Sequence, residues 1–192
     1  MGNVKIAKIF GSEIKELMDL IRSTGKECYI VGGAVRDFLL GHKIFLDIDL
    51  TTSLSVESLI KIFKQNKVGF DDRAARYNCL IVSTQKRSLQ ITSFRKDIRT
   101  FGRSADVEFV QNIEEDAKRR DFTINAFYCS FNGEIIDPLG NLEDLNNKKL
   151  QSLEIAVLYS KIPEKIKKEI VSPYISVEKD EARISVRIKD SL

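Results

Sequence analysis

A chain of 192 residues, 43% hydrophobic and 31% charged with only three prolines, suits one compact domain with at most an appendage and excludes a disordered chain. No apolar run approaches a membrane span, and Met1 to Phe10 lacks the apolar core and cleavage site of a secretory signal. The expectation is therefore a cytoplasmic protein with no membrane partner. A net charge of +3 is compatible with a polyanionic partner but does not select one.

Taken in chain order, Ser12 is expected to cap a helix running to about Gly25, because Ile14, Leu17, Met18, Leu20 and Ile21 recur at helical spacing. Cys28 to Val31 reads as a short buried strand, Gly32-Gly33 as a tight turn, and Ala34 to Leu40 as a helix stopped by Gly41. Leu46 to Leu50 alternates apolar and acidic residues as a strand does, and a helix is expected from about Ser55 to Asn66. Strands Tyr77 to Thr84 and Leu89 to Phe94 flank the polar turn Gln85-Lys86-Arg87. The charge density of Arg95 to Asp106 suggests a mobile loop, and Ile113 to Arg120 a charged helix. Strands Phe127 to Phe131 and Glu134 to Ile136 turn at Asn132-Gly133, before a short helix near Leu142 to Asn147. The character then changes. A lysine-rich helix is expected over Ile162 to Ile170, and a hairpin from the alternation in Tyr174 to Glu178 and Ala182 to Ile188.

The chemistry available is narrow. Cys28, Cys79 and Cys129 are odd in number and embedded in apolar stretches, which predicts buried thiols rather than disulfides or a zinc site. His42 is the one histidine, so neither a histidine cage nor a histidine relay can be built, and metal chemistry falls to carboxylates. On a strand, Asp47 and Asp49 point to the same face while Ile48 points into the core. Two such charges repel unless a cation offsets them, and hard oxygen donors suit Mg²⁺ or Mn²⁺. Asp-x-Asp alone fits a solvated strand edge better, so the surroundings decide. Gly32 and Gly33 precede Arg36 and Asp37, a place where backbone amides and a guanidinium can converge on phosphate. The plain alternative is a turn with Arg36 and Asp37 paired at the surface. Asp121 and Asn125, four apart after Arg119-Arg120, would share a helical face from which to hydrogen-bond a ribose or base.

Three ordered segments together resemble the class II tRNA nucleotidyltransferase (CCA-adding enzyme) and bacterial poly(A) polymerase family, a branch of the DNA polymerase β superfamily. They are Gly32-Gly33-Ala34-Val35-Arg36-Asp37-Phe38-Leu39-Leu40-Gly41 with Asp47-Ile48-Asp49-Leu50-Thr51-Thr52, then Arg119-Arg120-Asp121-Phe122-Thr123-Ile124-Asn125-Ala126, and Asp137-Pro138-Leu139-Gly140-Asn141-Leu142-Glu143-Asp144-Leu145. The resemblance covers roughly residues 26 to 152 and implies an α/β (α+β) nucleotidyltransferase head: a mixed, largely antiparallel sheet of about five strands with flanking helices. By carry-over, Asp47 and Asp49 would be catalytic and ligate two Mg²⁺, with Mn²⁺ as the alternative. Gly32, Gly33, Arg36 and Arg120 would hold the nucleotide, Asp121 and Asn125 would read its ribose, and Asp137 and Gly140 would form a hinge. The implied reaction moves CMP or AMP from CTP or ATP to the 3′-hydroxyl of a tRNA or other RNA. The resemblance leaves a third carboxylate open, because Gln90 stands where many relatives carry an acid, and Glu108 is a weak alternative.

The expected division is a head, 1–152, and an appendage, 153–192. Family members continue instead into a neck with a Glu-Asp-x-x-Arg motif. Asp180-Glu181-Ala182-Arg183 echoes it, but Lys179 replaces the glutamate and the alternation there predicts strand. The last 40 residues faintly resemble a periplasmic segment of bacterial resistance-nodulation-division exporters, which would make the chain a truncated or fused reading frame. Two other expectations follow from the lost neck: a head that binds Mg²⁺-NTP without turnover, or transfer to a non-RNA acceptor. Self-association through the apolar faces of the tail hairpin is a further expectation.

Overall fold

The computed structural model describes residues 6–45, 47–84, 86–101, 104–147, 149–152, 175–180 and 183–188. The strands β1 (Cys28–Val31), β2 (Asp49–Thr52), β3 (Phe70–Asp71), β4 (Cys79–Ser83), β5 (Ser88–Ser93), β8 (Tyr128–Ser130) and β9 (Ile135–Ile136) form one seven-stranded sheet in the order β3-β4-β5-β2-β1-β8-β9. Every pairing is antiparallel except β2 with β5, which run parallel. The mixed, largely antiparallel sheet is thus as expected, wider than about five strands because β3 and β9 add two residues each.

Helices α1 (Ile6–Ile9), α2 (Ser12–Arg22), α3 (Gly33–Leu39), α4 (Val56–Gln65), α5 (Ile113–Lys118) and α6 (Leu142–Asn146) flank it. α2 buries Ile14, Leu17, Met18 and Ile21, and α4 buries Val56, Leu59, Ile62 and Phe63, the stripes that helical periodicity singled out. Ser55 caps α4 by accepting from the Ser58 amide at 3.4 Å. Ser12 does not cap α2. Gly11 does, at φ 118°, because the chain enters the helix through a backbone conformation that a side chain would strain, leaving Ser12 as the first helical residue.

Period-2 alternation divides the sheet residues between two faces. Ile30, Leu50, Leu80, Ile91 and Cys129 join the main core with α2 and α4, whereas Val31 and Tyr128 join a smaller cluster with Ala117 of α5 and Ala126. The three cysteines are free and buried, as their apolar settings predicted, and burial pushes the thiols of Cys28 and Cys129 up to about 12.

Two expectations change. Arg95 to Asp106 is not a loop: β6 (Arg95–Phe101) and β7 (Ser104–Phe109) pair as an antiparallel ribbon with a bulge between Asp97 and Arg99. Charge density was the misleading signal, since opposite charges facing across strands support pairing, as Lys96 and Glu108 do at 2.9 Å. The tail hairpin forms, from β11 (Ile175–Asp180) and β12 (Arg183–Ile188), but β10 (Lys149–Ser152) adds to β12, giving the order β10-β12-β11. Asp180 therefore ends one strand and Arg183 begins the next, and the expected helix at 162–170 lies outside the described residues. Among the described residues, no helix is long and apolar enough to cross a membrane.

Candidate active site

The site forms where β1 ends. Val31 lies in register with Asp49 of β2 on one side and Tyr128 of β8 on the other, and Asp49 lies in register with Gln90 of the parallel β5. Shared register means a shared face, the one that carries α5 rather than the main core. Ile48 is buried while Asp47 is exposed and Asp49 half-buried, so the alternation read from the sequence holds. The strand itself begins at Asp49, with Asp47 and Ile48 in the approach to it, and Leu46 lies outside the described residues. Asp47 and Asp49 line a pocket of about 390 Å³ together with Ser88 and Gln90. Burial raises the Asp49 carboxyl above its ordinary value, the Arg120 charge opposes this, and the Asp47 charge adds to it.

Gly32 turns the corner at φ 78° and ψ −140°, a conformation that glycine adopts and other residues resist. A methyl group placed there would lie 3.8 Å from Arg120 Nη1 and 3.8 Å from Asp49 Oδ2, so the corner is open toward both charged groups. A methyl on Gly33 would lie 3.5 Å from Arg36 Nη2, in ordinary contact and at ordinary φ. Gly32→Ala should therefore cost about 1–3 kcal/mol of backbone strain, whereas Gly33→Ala should stay within about 0.5 kcal/mol of the parent. Urea denaturation of the two variants checks this contrast, and equal losses would contradict it.

Arg36 does pair with Asp37, donating from Nε at 2.8 Å, as the plain reading of that segment required. It also donates from Nη1 to Asn125 Oδ1 at 2.7 Å, and Asn125 Nδ2 donates to Asp121 Oδ1 at 3.1 Å. The glycine turn and the Asp121 segment are thereby joined, although 89 residues separate Arg36 from Asn125. Asp121 and Asn125 do not share an α-helix: α5 stops at Lys118, and a 3-10 turn at Thr123–Asn125 brings the two side chains together instead. Asp137 and Gly140 sit in the turn entering α6, where Asp137 Oδ2 accepts from the Leu142 amide at 2.9 Å and Gly140 has φ 68°. Thr123 Oγ1 donating to Asp144 at 2.8 Å links that helix to the 3-10 turn. Glu108 is held by Lys96 on the ribbon.

The sequence reading passed over Asp116. Its side chain is fully buried, and it accepts from Arg119 Nε at 2.8 Å, Arg120 Nη2 at 2.9 Å and the Tyr128 hydroxyl at 2.8 Å. The signal was present: Asp116-x-x-Arg119-Arg120 places both arginines within one helical turn of the acid.

Residues 28–151 match the family described as the Poly A polymerase head domain. The CCA-adding enzyme of Lactococcus lactis subsp. lactis is 38% identical over 148 residues, covering 76% of this chain and 36% of that one. The mitochondrial CCA tRNA nucleotidyltransferase 1 of Homo sapiens is 34% identical over 144 residues, covering 74% and 33%. Among solved structures, the Bacillus stearothermophilus CCA-adding enzyme in complex with CTP superimposes with a TM-score of 0.64 at 33% identity, covering 74% of this chain and 33% of that one. A tRNA nucleotidyltransferase complexed with a primer tRNA and an incoming ATP analog superimposes with a TM-score of 0.53 at 29% identity, covering 69% and 37%. The chain thus spans about a third of the length of the curated relatives it matches. Since the matched residues make up more than half of its length, the chain belongs to the Poly A polymerase head domain family.

Proposed function

We propose that this chain is the catalytic head of a cytoplasmic RNA nucleotidyltransferase, transferring CMP or AMP from CTP or ATP to the 3′-hydroxyl of a tRNA or related RNA. The observation that carries this reading is the corner at Gly32, where a side-chain-free turn faces both the Asp49 carboxylate and the Arg120 guanidinium. In the reaction the 3′-oxygen bonds to the α-phosphorus, the bond from that phosphorus to the bridging oxygen breaks, pyrophosphate leaves, and the hydroxyl proton passes to solvent. Gly32 gives the triphosphate room to approach, Arg120 and Arg36 supply guanidiniums for its oxygens, and Asn125, held by Asp121, offers hydrogen bonds to the ribose.

The two carboxylates fit divalent cations, Mg²⁺ or Mn²⁺. They supply hard oxygen donors to one pocket, and a cation would offset the burial, and after it the Asp47 charge, that raise the Asp49 carboxyl. Among the described residues no cluster of three His, Cys, Asp or Glu side chains is present, so phosphate oxygens and water would complete the coordination. When bound, such cations favour ionisation of the attacking hydroxyl and offset charge on the departing pyrophosphate.

The test is Mg²⁺-dependent incorporation of labelled CTP and ATP into tRNA lacking its 3′ end, against the Asp47→Ala, Asp49→Ala double variant. Incorporation lost in the variant supports the reading; equal incorporation by the variant sinks the assigned site. Nucleotide binding without incorporation would restrict this chain to nucleotide capture, or point to another acceptor. Gln90→Glu offers a finer check, because its register beside Asp49 would add a third acid to the pocket. The Mg²⁺ concentration for half-maximal transfer should fall about tenfold, and the metal-free melting temperature by roughly 2–4 °C. An unchanged Mg²⁺ requirement would exclude Gln90 from the metal's surroundings. Self-association, where it occurs, belongs at the outer edges of the three-stranded tail sheet, since β12 is paired on both sides.

A further inference from the structure

Arginine offers five N–H groups in one rigid plane, so fixing two of its nitrogens determines where the third points. In Arg120, Nε donates to the Tyr128 hydroxyl at 3.1 Å and Nη2 donates to Asp116 Oδ2 at 2.9 Å. The Tyr128 hydroxyl donates in turn to the same Asp116 oxygen at 2.8 Å, closing a three-membered ring of contacts. Nη1 is left outside the ring, and it is the nitrogen that faces the Gly32 corner and Asp49. The second carboxylate oxygen, Oδ1, accepts from Arg119 Nε at 2.8 Å and from the Arg95 amide at 3.4 Å. Four donors on one carboxylate match its acceptor capacity, so this fully buried group is satisfied without water.

We infer that Asp116 is a positioning residue of this site: with Tyr128 it clamps Arg120 so that Nη1 is presented to the phosphate chain of an incoming nucleotide before that nucleotide arrives. The inference rests on the nucleotidyltransferase reading above and adds to it a residue that does not touch the nucleotide. Its physical basis is preorganisation. A long, rotamer-rich side chain held in its binding geometry loses no further freedom when the anion binds.

The experiment measures the dissociation constant of Mg²⁺-CTP and Mg²⁺-ATP by calorimetry on the full chain, in a double-mutant cycle. Asp116→Asn and Tyr128→Phe should each weaken binding about tenfold in the parent and have no further effect once Arg120→Ala is present, because both act through that guanidinium. Tyr128→Phe keeps the test available if Asp116→Asn does not fold, since it preserves both the ring's volume and the carboxylate. Melting temperature falls in either background if the residues matter to the fold, so it does not discriminate; the binding cycle does. Equal weakening with and without Arg120 would overturn the positioning role while leaving the nucleotidyltransferase reading intact. A parent chain that binds neither nucleotide would remove that reading, and this inference with it.

Discussion

Asp49→Asn is expected to melt a few degrees above its parent in metal-free buffer while transferring nucleotide on the order of a thousandfold or more slowly. Both effects have one origin. Asp49 is half-buried beside a second acid, and burial followed by the Asp47 charge holds its carboxyl above the ordinary range, so its ionised form is costly in the folded chain. Asparagine keeps the shape and removes the charge, relieving that cost while removing a donor to the proposed cations. Asp47 is exposed, so Asp47→Asn should share the loss of transfer and show less of the gain in stability. Thermal melts with and without Mg²⁺, read beside incorporation into tRNA, check the pair. A variant that melts lower than its parent yet transfers normally would refute this account of the pocket.

Asp116→Ala should be the most destabilising single change on this face, by about 3–5 kcal/mol, because it leaves two guanidiniums facing a buried void. The pH dependence has a definite sign. Burial opposes the Asp116 charge, but Arg120, Arg119 and the Tyr128 hydroxyl outweigh it and hold the carboxyl below its ordinary value. Its stabilisation is therefore fully present above the unfolded-state value of about 3.9 and is lost as pH falls from there through the folded value. The groups that face it are Arg119 and Arg120 from its own segment, Tyr128 from β8 and the Arg95 amide from β6. Urea denaturation at pH 7 and again near pH 3 should show the difference between parent and variant shrinking with acid. A difference that grew in acid would mean that the carboxylate is not what the arginines require.

How much of this could be read beforehand depended on whether the relevant interaction was local. The strand Cys28–Val31, the helical stripes of α2 and α4, and the inward Ile48 between two outward acids follow from short-range periodicity, and they stand as expected. The Arg36–Asn125 bond joins segments far apart in sequence, so only the motif resemblance hinted at it. Arg95 to Asp106 was read as a loop, where an antiparallel ribbon forms instead, and reading Ile113 to Arg120 as a charged helix did not show that Asp116 is buried under two arginines. A sequence shows charges but not their partners, and burial of an acid is decided by partners. The parallel pairing of β2 with β5 is illegible for the same reason: β4 lies between them in the chain, yet it is β5 that brings Gln90 to Asp49.

The pairing of β10 with β12 bears on any attempt to trim this protein. Lys149–Ser152 lies at the end of the matched segment, 28–151, and its backbone partners are Ile184 to Arg187, from the far end of the chain. A chain cut after residue 152 to isolate the head would keep β10 and discard the strand that covers it, leaving a bare row of amides and carbonyls ready to recruit a neighbouring molecule. Such a fragment would be an adhesive version of the protein rather than a minimal one, and a soluble minimal head would have to end before Lys149 or retain the hairpin.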